Sequence, residues 1–150
     1  MKKLIAILGA SILLYANSLF ANVYETTVSK KISTSFTDAF AGAKDVKWYT
    51  DDNKTFTAKF TLNNNKVTAF YREDGSLMAT SRYLSGEQLP LNVLSRLNRK
   101  YSDCSIYSVV EYTADEHTVY YLTLENKDSW IIVKADEDGT LRTNKKMKKA

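Results

Sequence analysis

Asp74-Gly75-Ser76-Leu77 returns 64 residues on as Asp138-Gly139-Thr140-Leu141, and the text ahead of each copy also matches. Ala58-Lys59-Phe60-Thr61-Leu62-Asn63 lies against Tyr120-Tyr121-Leu122-Thr123-Leu124-Glu125, and Val67-Thr68-Ala69-Phe70 against Ile131-Ile132-Val133-Lys134. Alternating apolar and polar side chains are the pattern of a half-buried strand. Asp-Gly between such runs supplies the positive φ of a tight hairpin. The repeated text predicts two like halves, each rich in antiparallel strands.

Working outward from the first copy, Val28, Ile32, Phe36, Ala39 and Phe40 fall on one helical face, predicting an amphipathic helix from about Ser29 to Ala43. Ser29 or Ser33 is a candidate cap, and Gly42 stands at the C-terminal signal. Strand text follows at Val46 to Thr50, Thr55 to Leu62 and Lys66 to Arg72, with Leu77 to Tyr83 as a fourth strand or a lead-out. The second copy opens near Pro90, the one proline, which suits the first turn of a helix whose stripe is Leu94, Leu97 and Tyr101. Strands are predicted at Ser105 to Tyr112, Thr118 to Leu124 and Trp130 to Ala135, with a short one after Gly139. The expected fold is α+β: a tandem repeat of one helix plus three or four antiparallel strands, with the helices packed on one face of a curved sheet. The repeats span about 28–84 and 85–145, and no Pro- or Gly-rich linker divides them, so one domain of residues 22–150 with a continuous sheet is expected.

Alignment of the copies sorts the strand faces. Phe56, Ala58, Phe60, Leu62, Val67 and Ala69 match Tyr120, Leu122, Leu124, Ile131 and Val133, and these should face the helices. The opposite face of a half-solvated sheet should be polar. Here aromatics intrude on it. With ten Tyr, six Phe and two Trp the chain is rich in rings that give large, rigid contact area with a polar handle. Tyr49, Phe70, Tyr107, Tyr121 and Trp130, flanked by Lys59, Arg72 and Lys134, form the candidate binding face. The alternative is that these rings simply cover the sheet or form a homodimer seam.

Met1-Lys2-Lys3 followed by the apolar run Leu4 to Leu14 reads as a secretory signal peptide over residues 1–21, cut after Ala21. A cut near Ala16-Asn17-Ser18 and an uncleaved anchor are the alternatives; the apolar run is shorter than the ~20 residues a spanning helix needs. A periplasmic protein without stable membrane insertion after cleavage is expected. Without Lys2 and Lys3 the balance is 19 basic to 17 acidic residues, so the basic pI partly reflects the leader. The run Lys145-Lys146-Met147-Lys148-Lys149 lacks aromatic interleaving and reads as a solvated, frayed end, not a nucleic-acid arm. A single Cys excludes an internal disulfide.

No catalytic set is visible. His117, the only histidine, sits in a predicted turn beside Asp115 and Glu116, and Cys104 reads as a small buried hydrophobe at a strand start. One histidine with adjacent acids lacks convergent metal-ligand spacing. Asp136-Glu137-Asp138-Gly139 lacks the alternating ligands of a calcium loop and reads as a turn. No Gly-rich phosphate loop is present. Neither enzyme activity, metal nor cofactor is expected.

The block Val67-Thr68-Ala69-Phe70-Tyr71-Arg72-Glu73-Asp74-Gly75-Ser76-Leu77-Met78-Ala79-Thr80-Ser81-Arg82-Tyr83, then Gln88-Leu89-Pro90-Leu91, resembles the PepSY-like, β-lactamase-inhibitor-like periplasmic proteins of Bacteroidetes. Ala43-Lys44-Asp45-Val46-Lys47-Trp48 and Tyr120-Tyr121-Leu122-Thr123-Leu124-Glu125 share in the resemblance. It implies secretion and helices on one side of a long curved sheet whose other face is open, without an established activity. The functional expectation is a non-enzymatic periplasmic protein that binds or inhibits an envelope protein such as a peptidase through its open face. The alternative is a periplasmic sensor or carrier of a small ligand.

Overall fold

The computed structural model describes residues 23–149, so the expected signal peptide lies outside the described residues. The chain runs β1 (Tyr24–Glu25), α1 (Lys30–Ala39), β2 (Lys44–Thr50), β3 (Thr55–Leu62), β4 (Asn65–Arg72) and β5 (Leu77–Leu84). A 3-10 turn (Gly86–Gln88) then leads to α2 (Leu91–Lys100), β6 (Ser105–Ala114), β7 (His117–Glu125), β8 (Ser129–Asp136) and β9 (Leu141–Lys148). The strands form one nine-stranded antiparallel sheet in chain order; short turns join most neighbours, while α1 lies in the connection from β1 to β2 and α2 in that from β5 to β6.

Helix α1 starts where the Ser29 hydroxyl accepts the Ile32 amide at 3.4 Å, relieving one of the unpaired N–H groups of a helix start. It stops short of the expected Ala43. Phe40 leaves helical torsions (φ −127°, ψ 57°), and Gly42 takes φ +85°, a backbone angle costly for residues with a Cβ. Tyr101 ends α2 with nearly the same angles, φ −128° and ψ 51°. Pro90 stands one position earlier than expected, as the residue before α2, in an extended conformation (ψ 139°).

Directly opposed residues in a ladder share a face. The register Val67↔Arg82, Arg82↔Glu111, Glu111↔Tyr120 and Tyr120↔Ala135 therefore carries one face of the sheet from β4 across to β8. Both helices pack on that face. Ile32 and Phe36 of α1 are buried on Ala58, Phe60, Val67, Ala69 and Tyr71, while Val93 and Leu97 of α2 are buried on Val109, Leu122, Leu124, Ile131 and Val133. Apart from Tyr71 and Val109, these strand positions are ones the alignment of the copies sends inward.

The two cores are separate clusters joined by the sheet. Between them, on the same face, Arg82 donates to Glu111 through Nε (2.6 Å) and Nη2 (3.2 Å), a fork geometry that raises the guanidinium pKa and pins β5 to β6.

One expectation changes, and one strand is added. The lysine run at 145–149 is not a frayed end: Lys145, Lys146, Met147 and Lys148 pair with Ile132, Ile131, Trp130 and Ser129 as the close of β9. Met147 lies opposite Trp130, and lysines on an outer strand discourage pairing with another chain. The two-residue β1, paired at Tyr24↔Thr50, has too little pattern to be visible in sequence.

Tyr71 is wholly buried, and its hydroxyl lacks a hydrogen-bond partner among the described residues. Burial raises the phenol's pKa; the nearby Ser35 side chain offsets this in part but makes no hydrogen bond of proper geometry with the hydroxyl. An unpaired buried hydroxyl costs about 1–3 kcal/mol. Tyr71→Phe should accordingly raise stability by about 1 kcal/mol in urea unfolding; a loss of stability would show that the hydroxyl is bonded.

The matched Asp-Gly turns are built alike. Gly75 N–H donates to Arg72 O and Gly139 N–H to Asp136 O, with φ +83° and +87°. Asp74 is held below the usual carboxylate range by the Ser76 hydroxyl and then its amide; Asp138 is lowered by the Thr140 amide and then its hydroxyl. A folded pKa below the unfolded value, about 3.9, means stabilisation that is complete above that pH and lost as pH falls through the folded pKa. Asp74→Asn with Asp138→Asn should be less stable than the native chain at neutral pH, and the gap should close by about pH 2. Urea midpoints across that range read the effect; a gap unchanged with pH would contradict it.

Candidate binding face

The register places all eight candidate residues on the sheet face away from the helices. Tyr49 opposes Thr57, which opposes Phe70; Lys59 opposes Thr68; and Arg72 opposes Thr55. Across the sheet, Tyr121 lies between Val110 and Lys134, and Trp130 lies opposite Glu125. Tyr107 is the extra residue of a bulge between Ile106 and Ser108, which turns its ring onto Trp130 at 4.8 Å, edge to face.

These residues do not make one cluster. Tyr49, Lys59, Phe70 and Arg72 belong to β2–β4 and the other four to β6–β8, with β5 between. The two portions differ in chemistry. Around the first group the face carries Thr57, Thr61, Thr68 and Lys66, and the Lys59 ammonium sits 5.2 Å from the Tyr49 ring. Around the second it carries Tyr83, Val110, Tyr112, Val119 and Ile132, brought side by side by the pairs Tyr83↔Val110, Tyr112↔Val119 and Thr123↔Ile132.

Tyr121 is only 8% exposed although no helix covers it. Val110 and Lys134 flank it, with Tyr112 and Ile132 on the diagonals. Burial raises the pKa of both Tyr121 and Tyr112. The Lys134 ammonium is drawn along the surface to Asp136, 3.5 Å away. Tyr121 is thus the floor of this patch rather than a contact residue. The exposed rings are Tyr107 (66%) and Tyr83 (64%). Tyr83 and Tyr112 belong to this patch although sequence reasoning does not single them out. Alternation within Ala79–Leu84 and within Ser108–Ala114, beyond the bulge in each strand, is the signal that places the two tyrosines.

Catalytic pairing of Cys104 with His117 is ruled out by distance. Cys104 precedes β6, whereas His117 pairs with Ala114 at the far end of that ten-residue strand, on the order of 30 Å away. The Cys104 thiol is pushed up by burial and by Asp103, and His117 meets Glu137 at 3.6 Å on the surface. Among the described residues no three or more His, Cys, Asp or Glu side chains converge as metal ligands.

No protein-family model and no curated protein sequence matches the chain. Solved structures do. A BLIP-like protein from Bacteroides fragilis superposes with TM-score 0.68 at 18% identity, over 83% of this chain and 90% of that one. The fold is BLIP-like. A DUF2874 family protein from Bacteroides ovatus shares it (TM-score 0.67, 16% identity, 82% and 89% covered). So does a Bacteroides eggerthii protein assigned provisionally to the periplasm (TM-score 0.66, 11% identity, 82% and 90% covered). At these identities the likeness is one of fold. In this BLIP-like fold both helices lie on one side and the aromatic patch lies on the other. No helix among the described residues is long and apolar enough to cross a membrane.

Proposed function

We propose that the chain is a non-enzymatic periplasmic binding protein that grips an envelope protein or peptide, a peptidase among the candidates, through the open face of its sheet. The observation that carries this reading is the packed platform on β5–β8. An aromatic floor residue 8% exposed, with no helix above it and solvent-facing tyrosines beside it, is a surface already ordered for contact. Tyr and Trp concentrate in the energetic centres of protein interfaces, and little further ordering is needed when they are already packed. The reading includes cleavage of residues 1–21 on export. It also treats the two helix-and-strand halves as copies of one PepSY-like unit, supported by the matched turns at Gly75 and Gly139 and the matched helix ends at Phe40 and Tyr101. Capture from a periplasmic extract, native chain against a Tyr83→Ala, Tyr107→Ala variant, tests it. One partner band should be present with the first and missing with the second; an equal band from both would set the platform aside.

A further inference from the structure

At the corner where β7 meets β8, the chain's own Lys149 lies against Trp130. Its ammonium is 4.8 Å from the centre of the Trp130 ring and 2.5 Å from Glu125 Oε1. The Tyr107 ring closes another side of the indole at 4.8 Å. A tryptophan face, a second ring and a carboxylate are what an alkylammonium ion needs: a quadrupole for its charge and an acceptor for its N–H bonds. A shallow, open hollow of about 540 Å³ adjoins this corner, walled in part by Asp103, Cys104, Glu125 and Asn126. Asp103 adds a second carboxylate, kept ionised by the Asn126 amide first, while Lys127 lines the same hollow.

The Lys149 side chain is tethered to this corner rather than needed to build it. Its backbone is held independently, N–H to Asp128 O at 2.9 Å, and Asn126 shapes the turn by accepting the Asp128 and Ser129 amides. We infer that Glu125, Trp130 and Tyr107 form a binding site for a primary alkylammonium group, which Lys149 occupies as an internal stand-in. The inference does not depend on protein capture by the platform. An internal occupant competes at the high effective concentration of a tethered group, so an outside amine binds with only the fraction of molecules in which Lys149 is away. Removing the side chain takes away the competitor and leaves Glu125 without its ion-pair partner.

The test is titration by ¹H–¹⁵N NMR, because the chain has two tryptophans and so two indole signals. Trp48 packs in the helix-side core and serves as the reference. Cadaverine probes a free amine, and Nα-acetyl-lysine methylamide probes a lysine side chain carried on backbone. Lys149→Ala should bind at least one of them ten or more times more tightly than the native chain, shifting the Trp130 indole and not that of Trp48. Glu125→Gln added to Lys149→Ala should abolish the shift while the unfolding midpoint stays close to that of Lys149→Ala. Whichever amine binds more tightly names the source. If neither moves the Trp130 signal in folded Lys149→Ala at millimolar concentration, the inference is wrong.

Discussion

Phe36→Ala is expected to cost about 3–5 kcal/mol, the range for truncating a buried phenylalanine. Phe36 is the hub of the first core: its ring meets Phe60 at 4.9 Å, Trp48 at 5.3 Å, Phe40 at 5.4 Å and Tyr71 at 6.4 Å. Three of those contacts are edge-on geometries that add to area burial. Phe60, Tyr71 and Trp48 cannot collapse far into the hole, because all three are fixed on paired strands. Against a total stability of about 5–15 kcal/mol such a loss is severe. The separation of the cores adds a spatial prediction. Amides of β2–β4 should lose hydrogen-exchange protection first, while those of β6–β8, packed under Val93 and Leu97, keep most of theirs. Equal loss across both would show that the sheet couples the cores into one cooperative unit.

Tyr83→Ala together with Tyr107→Ala is expected to abolish partner capture at little cost in stability. The rings are 64% and 66% exposed, so their removal opens no cavity, and the lost cross-strand contacts amount to about 0.2–1 kcal/mol each. An interface hot-spot ring is worth about 2 kcal/mol or more, so two of them amount to a loss in affinity of roughly a thousandfold. Tyr121→Ala cannot serve here. Tyr121 is buried, and its truncation would lower stability and binding together. Tyr49→Ala, on the more polar β2–β4 portion of the same face, should leave capture intact. Loss of capture in that variant would extend the binding surface across the whole sheet.

Much of the fold was legible because its signals are local. Phe56, Ala58 and Phe60 alternate with threonine and lysine, Ile32 and Phe36 fall one helical turn apart, and Asp74-Gly75 and Asp138-Gly139 carry their own turn chemistry. What escaped the sequence depends on neighbours distant in the chain. Lysines fall on both faces of β9, so alternation is masked there, and only pairing with Ile131 and Ile132 makes 145–148 a strand. The outward parity of seven of the eight candidate residues was readable from alternation; Tyr107 faces outward as the extra residue of a bulge. Their division into two groups was not, since that follows from the order of strands in the sheet. Nor was the burial of Tyr121, which is set by Val110 and Lys134 on the adjoining strands.

Site-specific photocrosslinking in the living cell tests the central claim most directly. A benzoylphenylalanine at Tyr107 on the open face is compared with one at Thr34, exposed on the outer surface of α1. A discrete adduct from position 107 and none from position 34 is the predicted result. Adducts from position 34 alone, or the same adducts from both, would contradict binding through the open face of the sheet.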